Sequence, residues 1–459
     1  MIAVNKHLKK NKFIYVIIFL FFLAKLLTIQ SYGNIWWDSA VYIGMGKYIY
    51  SIGNAGLWES SRPIVWPLML GFLWKTGFDA VLLGRLVEIV FGSLCILLTY
   101  IIGKKLFKEK TALLSSIFLA LSPTFFFFNG VMLTEIISTV FSLSAIYFFI
   151  NKKHLASGMF FGIAFMTRYL QLFVFVAIIV SVFNIKNIKK MLLGFVIAIT
   201  PLLVINQIIY NNALFPFFEQ IAISGNSGWF NHQPLSFYFI ELFKENFLYL
   251  LFIPGLILML KNTNKKPIAL AFTMLFIFFN LIKQKEMRFL IILLSYMYLM
   301  VSYSFFYALN NSKDKIFKNC LAVIVITSFA LSLFNTYNYY KNESNKNNQY
   351  TILQSEFGKI GDNARVWISN PLISVFSNKK IEHLMYYPFF DEKKKEELVL
   401  KEKPNYIFLD TCDLACRLQD KNCENSKMQL LEYFKKELKI IHYSEINRCK
   451  QIIFLKTTS

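Results

Sequence analysis

Long apolar runs, separated by short lysine-rich gaps, constrain the fold of this chain more than any other feature. The 459 residues are 56% hydrophobic and include 49 phenylalanines. That composition excludes an ordinary soluble enzyme of this length, because repeated apolar runs of about 20 residues are typical of transmembrane helices. The sequence therefore predicts a polytopic α-helical membrane protein.

The runs predict about eleven membrane crossings. Residues 155–183 are too long for one crossing at about 1.5 Å rise per residue, so we divide them into two short helices that turn at Arg168. A polar loop is expected over residues 210–237. The other predicted spans are residues 13–29, 80–102, 111–128, 132–150, 191–209, 241–260, 267–282, 289–309 and 319–337.

The positive charge is placed in a way that predicts orientation in the membrane. The formal net charge of +22 is concentrated in the gaps between apolar runs, which argues for contact with membrane lipids and against a nucleic-acid partner. By the positive-inside rule, the N-terminus is cytoplasmic and residues 341–459 are extracytoplasmic at the cell membrane. Residues 1–29 resemble a signal peptide, but no small-x-small cleavage site follows, so we expect a retained helix.

The C-terminal part has a different character, which predicts two domains. Residues 1–340 form the membrane domain, with an outer loop at 30–79, and residues 341–459 form a small exposed α/β domain. In the second domain, the short apolar runs RVWIS, YIFLD, IIHYS and QIIFL alternate with charged, helix-like stretches at 391–402 and 427–438.

Four cysteines lie in this C-terminal part. Outside the membrane they are expected to form two disulfides, with three pairings open, rather than to remain reduced and partly buried. The cysteines are Cys412, Cys416, Cys423 and Cys449.

Charged residues gather at the predicted outer face of the membrane. Carboxylates there suit a general base or a metal ligand, and several fixed cations suit a phosphate. Each residue also has a plainer interpretation: Asp38 as a helix N-cap, and Arg168 as a side chain that reaches the lipid headgroups. The full set is Asp38, Arg62, Glu135, Arg168, Lys285, Glu286 and Arg288.

Five short motifs, in this order and topology, carry a family resemblance over roughly residues 1–340. They are DSAVY with Asp38 and Tyr42, RPIVWP with Arg62, MLTE with Glu135, MTRY with Arg168 and Tyr169, and the late KQKEMRF. The chain resembles the GT-C glycosyltransferases that use polyprenyl-phosphate sugars, especially protein O-mannosyltransferases and lipid A aminoarabinose transferases. It departs from them where RPI replaces the usual RPP, and it has no DxD motif.

The resemblance implies a GT-C-like fold and specific roles. Asp38 is the implied general base for inverting transfer from a polyprenyl-phosphate sugar to a protein, glycan or lipid acceptor. Glu135 orients the acceptor or binds a divalent metal, although no cofactor is expected to be required. The implied phosphate ligands are Arg62, Lys285, Arg288 and Arg168, and the implied substrate-lining residues are Trp37, Tyr42, Tyr169 and Glu286.

Two other functions are compatible with the same sequence. A transporter or flippase of a lipid-linked saccharide would use the cationic cavity without breaking a bond. Such proteins often contain internal repeats and mid-membrane charges, whereas this sequence has no clear repeat and places its charges at one face. A scaffold that only presents the C-terminal domain would have no need of Asp38. We therefore expect an enzyme.

Overall fold

Most of the chain is described by a computed structural model. It covers residues 12–29, 35–182, 184–226, 232–344, 357, 359–361, 364–385, 404–414, 416, 422–446 and 448–456. The helix-like stretch at 391–402 lies outside the described residues.

Helices dominate the first three quarters of the chain, and each predicted span contains at least one. In chain order they are α1 (Phe13–Leu27), α2 (Trp37–Tyr50), α3 (Val65–Lys75), α4 (Ala80–Leu106), α5 (Glu109–Leu121), α6 (Pro123–Phe128), α7 (Thr134–Ile150), α8 (His154–Thr167), α9 (Gln171–Val180), α10 (Ile185–Tyr210), α11 (Phe215–Asn226), α12 (Phe237–Glu245), α13 (Phe252–Leu260), α14 (Lys266–Leu281), α15 (Ile291–Asn311) and α16 (Lys315–Ser344). Short 3₁₀ turns at Phe247–Leu251 and Met287–Leu290 precede α13 and α15.

Long apolar helices make this a multi-pass membrane protein. Four stretches in the described part of the chain are long and apolar enough to cross a bilayer, and shorter apolar helices accompany them. The four are Ala80–Leu106, Ile185–Tyr210, Met287–Asn311 and Lys315–Lys341. The helix break expected at Arg168 is present between α8 and α9. The number of crossings, eleven, stays a prediction, as does the orientation of the termini.

The prediction of a polar loop over residues 210–237 was wrong, because part of this segment is helical. Helix α11 occupies Phe215–Asn226, and α12 begins at Phe237. The sequence FPFFEQIAIS has a proline near the first turn and apolar residues that recur with helical spacing, and it therefore forms an amphipathic helix. This segment contains no lysine or arginine, and sequence analysis therefore assigned it to a loop between predicted spans.

The contacts divide the chain into two compact units. The membrane unit comprises Met1–Tyr32, Gly84–Ala213 and Gln233–Asn345. The second unit comprises Gly33–Leu83, Leu214–His232 and Lys346–Ser459, and we call it the outer unit because the sequence predicts that these segments are extracytoplasmic. The outer loop predicted at 30–79 thus belongs with the C-terminal domain. The boundary predicted at residue 341 lies close to the start of the last segment.

The C-terminal domain contains a five-stranded mixed sheet in the order β2-β1-β3-β5-β4. Strand β1 pairs in parallel with β2 and β3, and β5 pairs antiparallel with β3 and β4. All four predicted apolar runs form strands. Two elements that were not predicted, α17 (Leu372–Phe376) and β2, follow β1. The helix predicted at 427–438 is present as α18 (Cys423–Glu437). The strands are β1 (Val366–Ile368), β2 (Ile381–Leu384), β3 (Tyr406–Asp410), β4 (Lys439–Ile446) and β5 (Cys449–Leu455).

Two disulfides join the four cysteines of this domain, as predicted. Cys412 pairs with Cys449, and Cys416 pairs with Cys423. The sequence left the choice among three pairings open. The first bridge links the end of β3 to the start of β5, which lie close because the strands are antiparallel neighbours.

The two faces of the sheet bury different hydrophobic clusters. Alternation along β1 sends Trp367 to the face covered by α18, and Val366 and Ile368 to the opposite face. On that opposite face, Val41 and Met45 of α2 join the same buried cluster. Helix α2 is therefore part of the hydrophobic core of the C-terminal domain.

Candidate active site

Asp38 lies in the first turn of α2. The helix begins at Trp37, and Trp36, which precedes it, is extended with ψ 153°. Asp38 is therefore inside the helix rather than at the N-cap, which excludes the N-cap interpretation. A carboxylate in the first turn is favoured by the helix dipole. The side chain is 18% exposed, so it is accessible at the surface of the outer unit.

Arg62 holds Asp38 and a second carboxylate together. Its Nη1 lies 2.9 Å from Oδ1 of Asp38, and its Nε lies 3.1 Å from Oε1 of Glu59. The planar guanidinium presents its donors in fixed directions, so one arginine can join two carboxylates in this way. Sequence analysis predicted Asp38 and Arg62 as site residues. Glu59 was missed, although it precedes Arg62 by only three positions.

Close packing of α2 against α3 accounts for this approach. A Cβ atom at Gly46 would lie 2.6 Å from the backbone N of Gly71 and from the carbonyl O of Pro67. No side chain fits there without moving backbone, so glycines allow the two helices to cross at short distance. Arg62 lies shortly before α3, which begins at Val65, and the crossing therefore brings its guanidinium to the first turn of α2.

Helix α11 brings a further carboxylate to the turn that carries Glu59. Glu219 accepts a hydrogen bond from the hydroxyl of Ser60, in the same turn as Glu59. The pKa of the Glu219 carboxyl is raised above its ordinary value, chiefly by burial. The hydrogen bond from Ser60 offsets part of this increase, and the charge of Glu59 adds to it. The proximity of Glu219 to this segment could not be found from the sequence, because Glu219 lies 157 positions after Arg62 and several predicted spans come between them.

The two predicted substrate-lining residues of α2 lie in different environments. Tyr42 is buried, and the guanidinium of Arg62 lies 5.8 Å from its ring centroid, so Tyr42 supports the arginine from one side. Trp37 packs against the hydrophobic cluster that α2 shares with the sheet.

The membrane unit holds the other predicted residues, beginning with Glu135. Helix α7 starts after a loop that is held by the buried carboxylate of Glu88. That carboxylate accepts backbone N–H groups from Gly130 at 2.8 Å, Met132 at 2.5 Å and Leu133 at 3.1 Å. Met132 has φ +66°, a conformation that these bonds stabilise. Glu88 thereby fixes the start of α7, where Glu135 is 2% exposed.

Arg168 pairs with Glu135 inside this unit. Its Nη1 lies 3.0 Å from Oε1 of Glu135 and donates to Oγ1 of Thr134 at 3.0 Å. The extended backbone at Arg168, with φ −156° and ψ 114°, separates α8 from α9 and directs the side chain toward α7. The MLTE and MTRY motifs therefore meet. Tyr169 contacts Phe165, with ring centroids 5.3 Å apart.

Arg288 and Arg168 both contact the ring of Phe289. Their guanidinium carbons lie 5.5 Å and 5.6 Å from its centroid. Arg288 also pairs with Glu286, with 2.6 Å between Nε and Oε2. The structure thus brings together three predicted residues, Arg168, Arg288 and Glu286, around a phenylalanine that sequence analysis missed.

Lys285 occupies a separate place in the membrane unit. Its side chain is buried, and Nζ donates to the carbonyl O of Gln233 at 3.0 Å and of Ile282 at 2.5 Å. Through these two bonds, Lys285 stabilises the backbone segment that leads into α15. Its role as a phosphate ligand stays a prediction.

A divalent metal at Glu135 does not fit this arrangement. The carboxylate is already neutralised by the Arg168 guanidinium, and a second cation beside that arginine would be repelled. Among the described residues, the one cluster of three candidate ligands is Asp410, Cys412 and Cys449, whose two cysteines form a disulfide.

Solved structures of known proteins share this architecture. The crystal structure of ArnT from Cupriavidus metallidurans bound to undecaprenyl phosphate matches with a TM-score of 0.68 at 8% identity, over 98% of this chain and 99% of ArnT. The chain has the GT-C fold. Archaeoglobus fulgidus AglB, an oligosaccharyltransferase in complex with an inhibitory peptide and a dolichol-phosphate, matches this GT-C chain with a TM-score of 0.59 at 12% identity, over 98% of this chain and 75% of AglB.

A family model supports the resemblance from the sequence side. Residues 61–210 of the GT-C chain match the model for dolichyl-phosphate-mannose-protein mannosyltransferases. The match contains Arg62, Glu135 and Arg168, so it includes residues of both units. No curated protein matches the sequence. The resemblance to GT-C glycosyltransferases inferred from the motifs is confirmed.

Proposed function

We propose that this protein is an integral-membrane glycosyltransferase. It transfers a sugar from a polyprenyl-phosphate donor to an extracytoplasmic acceptor, with inversion at the anomeric carbon. The observation that carries the proposal is the Asp38–Arg62 pair on the outer unit of a GT-C chain. The named contents of the two structural neighbours, undecaprenyl phosphate and dolichol-phosphate, support a lipid-phosphate donor.

The reaction is a single displacement. Asp38 accepts the proton of the acceptor hydroxyl as its oxygen forms a bond to the anomeric carbon. The bond between that carbon and the phosphate oxygen breaks, and the electron pair leaves with the lipid phosphate. Arg62 stabilises the charge that develops on this leaving group, because a guanidinium binds phosphate with directed, charge-assisted bonds.

Arg62 also links donor binding to the base. In the structure its Nη1 donates to Asp38 and its Nε to Glu59. We propose that the donor phosphate takes over the bond to Asp38, while Glu59 keeps the arginine in place. Asp38 is then released from its cation and accepts a proton more readily. Deprotonation of the acceptor thus follows binding of the donor.

The arginines of the membrane unit are further candidates for the donor phosphate. Arg168 and Arg288 are each held beside a carboxylate and the same ring, which fixes the guanidinium planes. We propose phosphate binding for both.

The test compares glycans and lipid-linked sugars in cells with and without this chain, by mass spectrometry. We expect a glycosylated product that disappears in the deletion and is not restored by Asp38→Asn, because removal of a general base costs about 10²- to 10⁴-fold in rate. The exposed residue Asp79 provides the control, since Asp79→Asn keeps the acceptor oxygen for its bond to Val81. Restoration of the product by a folded Asp38→Asn protein would contradict the assignment.

A further inference from the structure

Lys47, near the end of the helix that carries Asp38, is a buried charge outside the site described above. Its side chain is 3% exposed. Nζ donates to the carbonyl O of Ser374 at 3.0 Å, of Val375 at 2.7 Å and of Ser377 at 2.9 Å. An ammonium group has three N–H donors, so all three are satisfied.

The acceptors lie at the C-terminal end of α17, in the C-terminal domain. The last carbonyls of a helix have no partner within it and carry partial negative charge, which suits a cation. Burial nevertheless lowers the pKa of Lys47 from its ordinary value to about 8. The three hydrogen bonds offset this cost and join α2 to α17.

Other contacts hold α2 to the same part of the domain. A Cβ atom at Gly44 would lie 2.6 Å from Oγ of Ser374, so α17 approaches the backbone of α2 as closely as the structure permits. Gly56, after α2, pairs with the start of β2: its N–H donates to Lys379 O at 2.9 Å, and its carbonyl accepts from Ile381 at 2.8 Å. The C-terminal domain therefore contacts the second half of α2 through α17, and the turn that follows α2 through the start of β2.

Helix α2 is thus fixed on two sides within one unit. Gly46 places it against α3, which sets the distance from Asp38 to Arg62, and Lys47 joins it to α17 one residue later. Rotation or sliding of α2 would move Asp38 relative to Arg62. A hydrogen-bonded charge resists such movement more strongly than apolar contacts, because its bonds are directional.

We propose that Lys47 is a positioning residue for Asp38, and that the C-terminal domain acts in catalysis by holding α2 through it. This inference rests on the proposed function for its catalytic part, and on the geometry alone for the anchor. It assigns the C-terminal domain a role within the reaction rather than one of covering the membrane unit or presenting a surface.

Hydrogen exchange of the full-length protein in detergent tests the anchor without reference to activity. In Lys47→Met, amide exchange in residues 37–50 and 372–376 should become about tenfold faster or more, because the bonds to a charged group are lost. The exposed lysine at the end of α3 gives the matched control, Lys75→Met, which should exchange like wild type. Unchanged exchange in a folded Lys47→Met protein would overturn the anchor.

A second measurement tests the effect on the reaction. The product found in cells should fall at least about tenfold in Lys47→Met and recover in part in Lys47→Arg, which retains a charged donor group. Binding of undecaprenyl phosphate, measured by native mass spectrometry, should stay at the wild-type level in both variants, since Lys47 contacts backbone carbonyls. Faster exchange with full product formation would overturn the positioning role.

These readouts separate the inference from the proposed function. If wild-type cells form no glycosylated product, the proposed function fails, while the exchange result still decides the anchor. If wild type forms product and Lys47→Met loses undecaprenyl phosphate binding as well, Lys47 acts on the donor site and the positioning role is wrong.

Discussion

The proposed transfer reaction depends on single side chains, and substitution of Arg62 removes several contacts at once. It is the cation between Asp38 and Glu59, at 2.9 Å and 3.1 Å. Its removal leaves two carboxylates side by side without their common partner and, under the proposed function, takes away a phosphate ligand. Both effects act against donor binding.

We expect Arg62→Ala to lower transfer about 10- to 150-fold at limiting donor, since a charge-assisted hydrogen bond contributes about 1.5–3 kcal/mol. Arg62→Lys should recover only part of this, because one ammonium cannot replace a planar fork that joins two carboxylates. The rate at varied polyprenyl-phosphate sugar and fixed acceptor measures the effect. Arg365→Ala, which removes a more exposed ion pair in the same unit, is the control. An effect of Arg62→Ala on acceptor dependence alone would contradict the phosphate role.

Arg168 is a poorer residue for such a test. Its partner Glu135 is 2% exposed, and loss of one member of a buried pair costs about 3–5 kcal/mol of stability. A loss of activity in Arg168→Ala would therefore mix folding with function. Arg288 and Glu286 are 14% and 19% exposed, which makes Arg288→Ala the cleaner variant in the membrane unit.

Site residues were predictable from sequence to the extent that charge stands out against an apolar background. Asp38, Arg62, Glu135 and Arg168 interrupt or border apolar runs, and the structure pairs them as two ion pairs. Phe289 gave no such signal, and the charge of Glu219 gave no indication of which residues it would meet. Glu219 depends on the placement of α11, and Phe289 is one of 49 phenylalanines in the chain.

At the scale of elements, the crossing of α2 and α3 is the feature on which the outer site depends. Gly46 leaves no room for a side chain, because the atoms in its way are backbone atoms of Pro67 and Gly71. A larger residue must move one of the helices. Since Asp38 and Arg62 are on opposite sides of this crossing, the change is transmitted to their ion pair.

Gly46→Ala should therefore destabilise the outer unit by about 1–3 kcal/mol and reduce transfer. Thermal unfolding in detergent and product formation measure the two effects. Gly361 is a matched control in the same unit, because a Cβ atom there meets nothing within 4 Å. Gly46→Ala would argue against the account if its stability and activity equalled those of Gly361→Ala.

Some boundaries of helices and strands could be predicted from the sequence pattern alone. The break at Arg168 and four of the five strands of the C-terminal domain were predicted because breakers or charges delimit them, whereas β2 was missed. Helix α11 was not, because its amphipathic pattern lies in a segment that the spacing of apolar runs marks as a connection. Val41 of α2 and Ile453 of β5 belong to one buried cluster, and no local pattern reports a shared core over that separation.

At the scale of the whole molecule, the chain has the GT-C fold with two units, and the outer one combines three distant segments. The first outer loop and the C-terminal domain form one hydrophobic core, which places the Asp38 helix on the sheet. Under the proposed function, this outer unit is the part of the protein that presents the base. A transporter that moves an intact lipid-linked saccharide has no need of such a base.

The most direct test is whether the bond between sugar and lipid phosphate is broken. Membranes that contain the full-length protein are supplied with a polyprenyl-phosphate sugar labelled in both the sugar and the lipid. The account predicts that free lipid phosphate and glycosylated product appear in equal amounts with wild type, and that neither appears with Asp38→Asn. Passage of the doubly labelled donor across the membrane with its bond intact, or equal cleavage by Asp38→Asn, would contradict it.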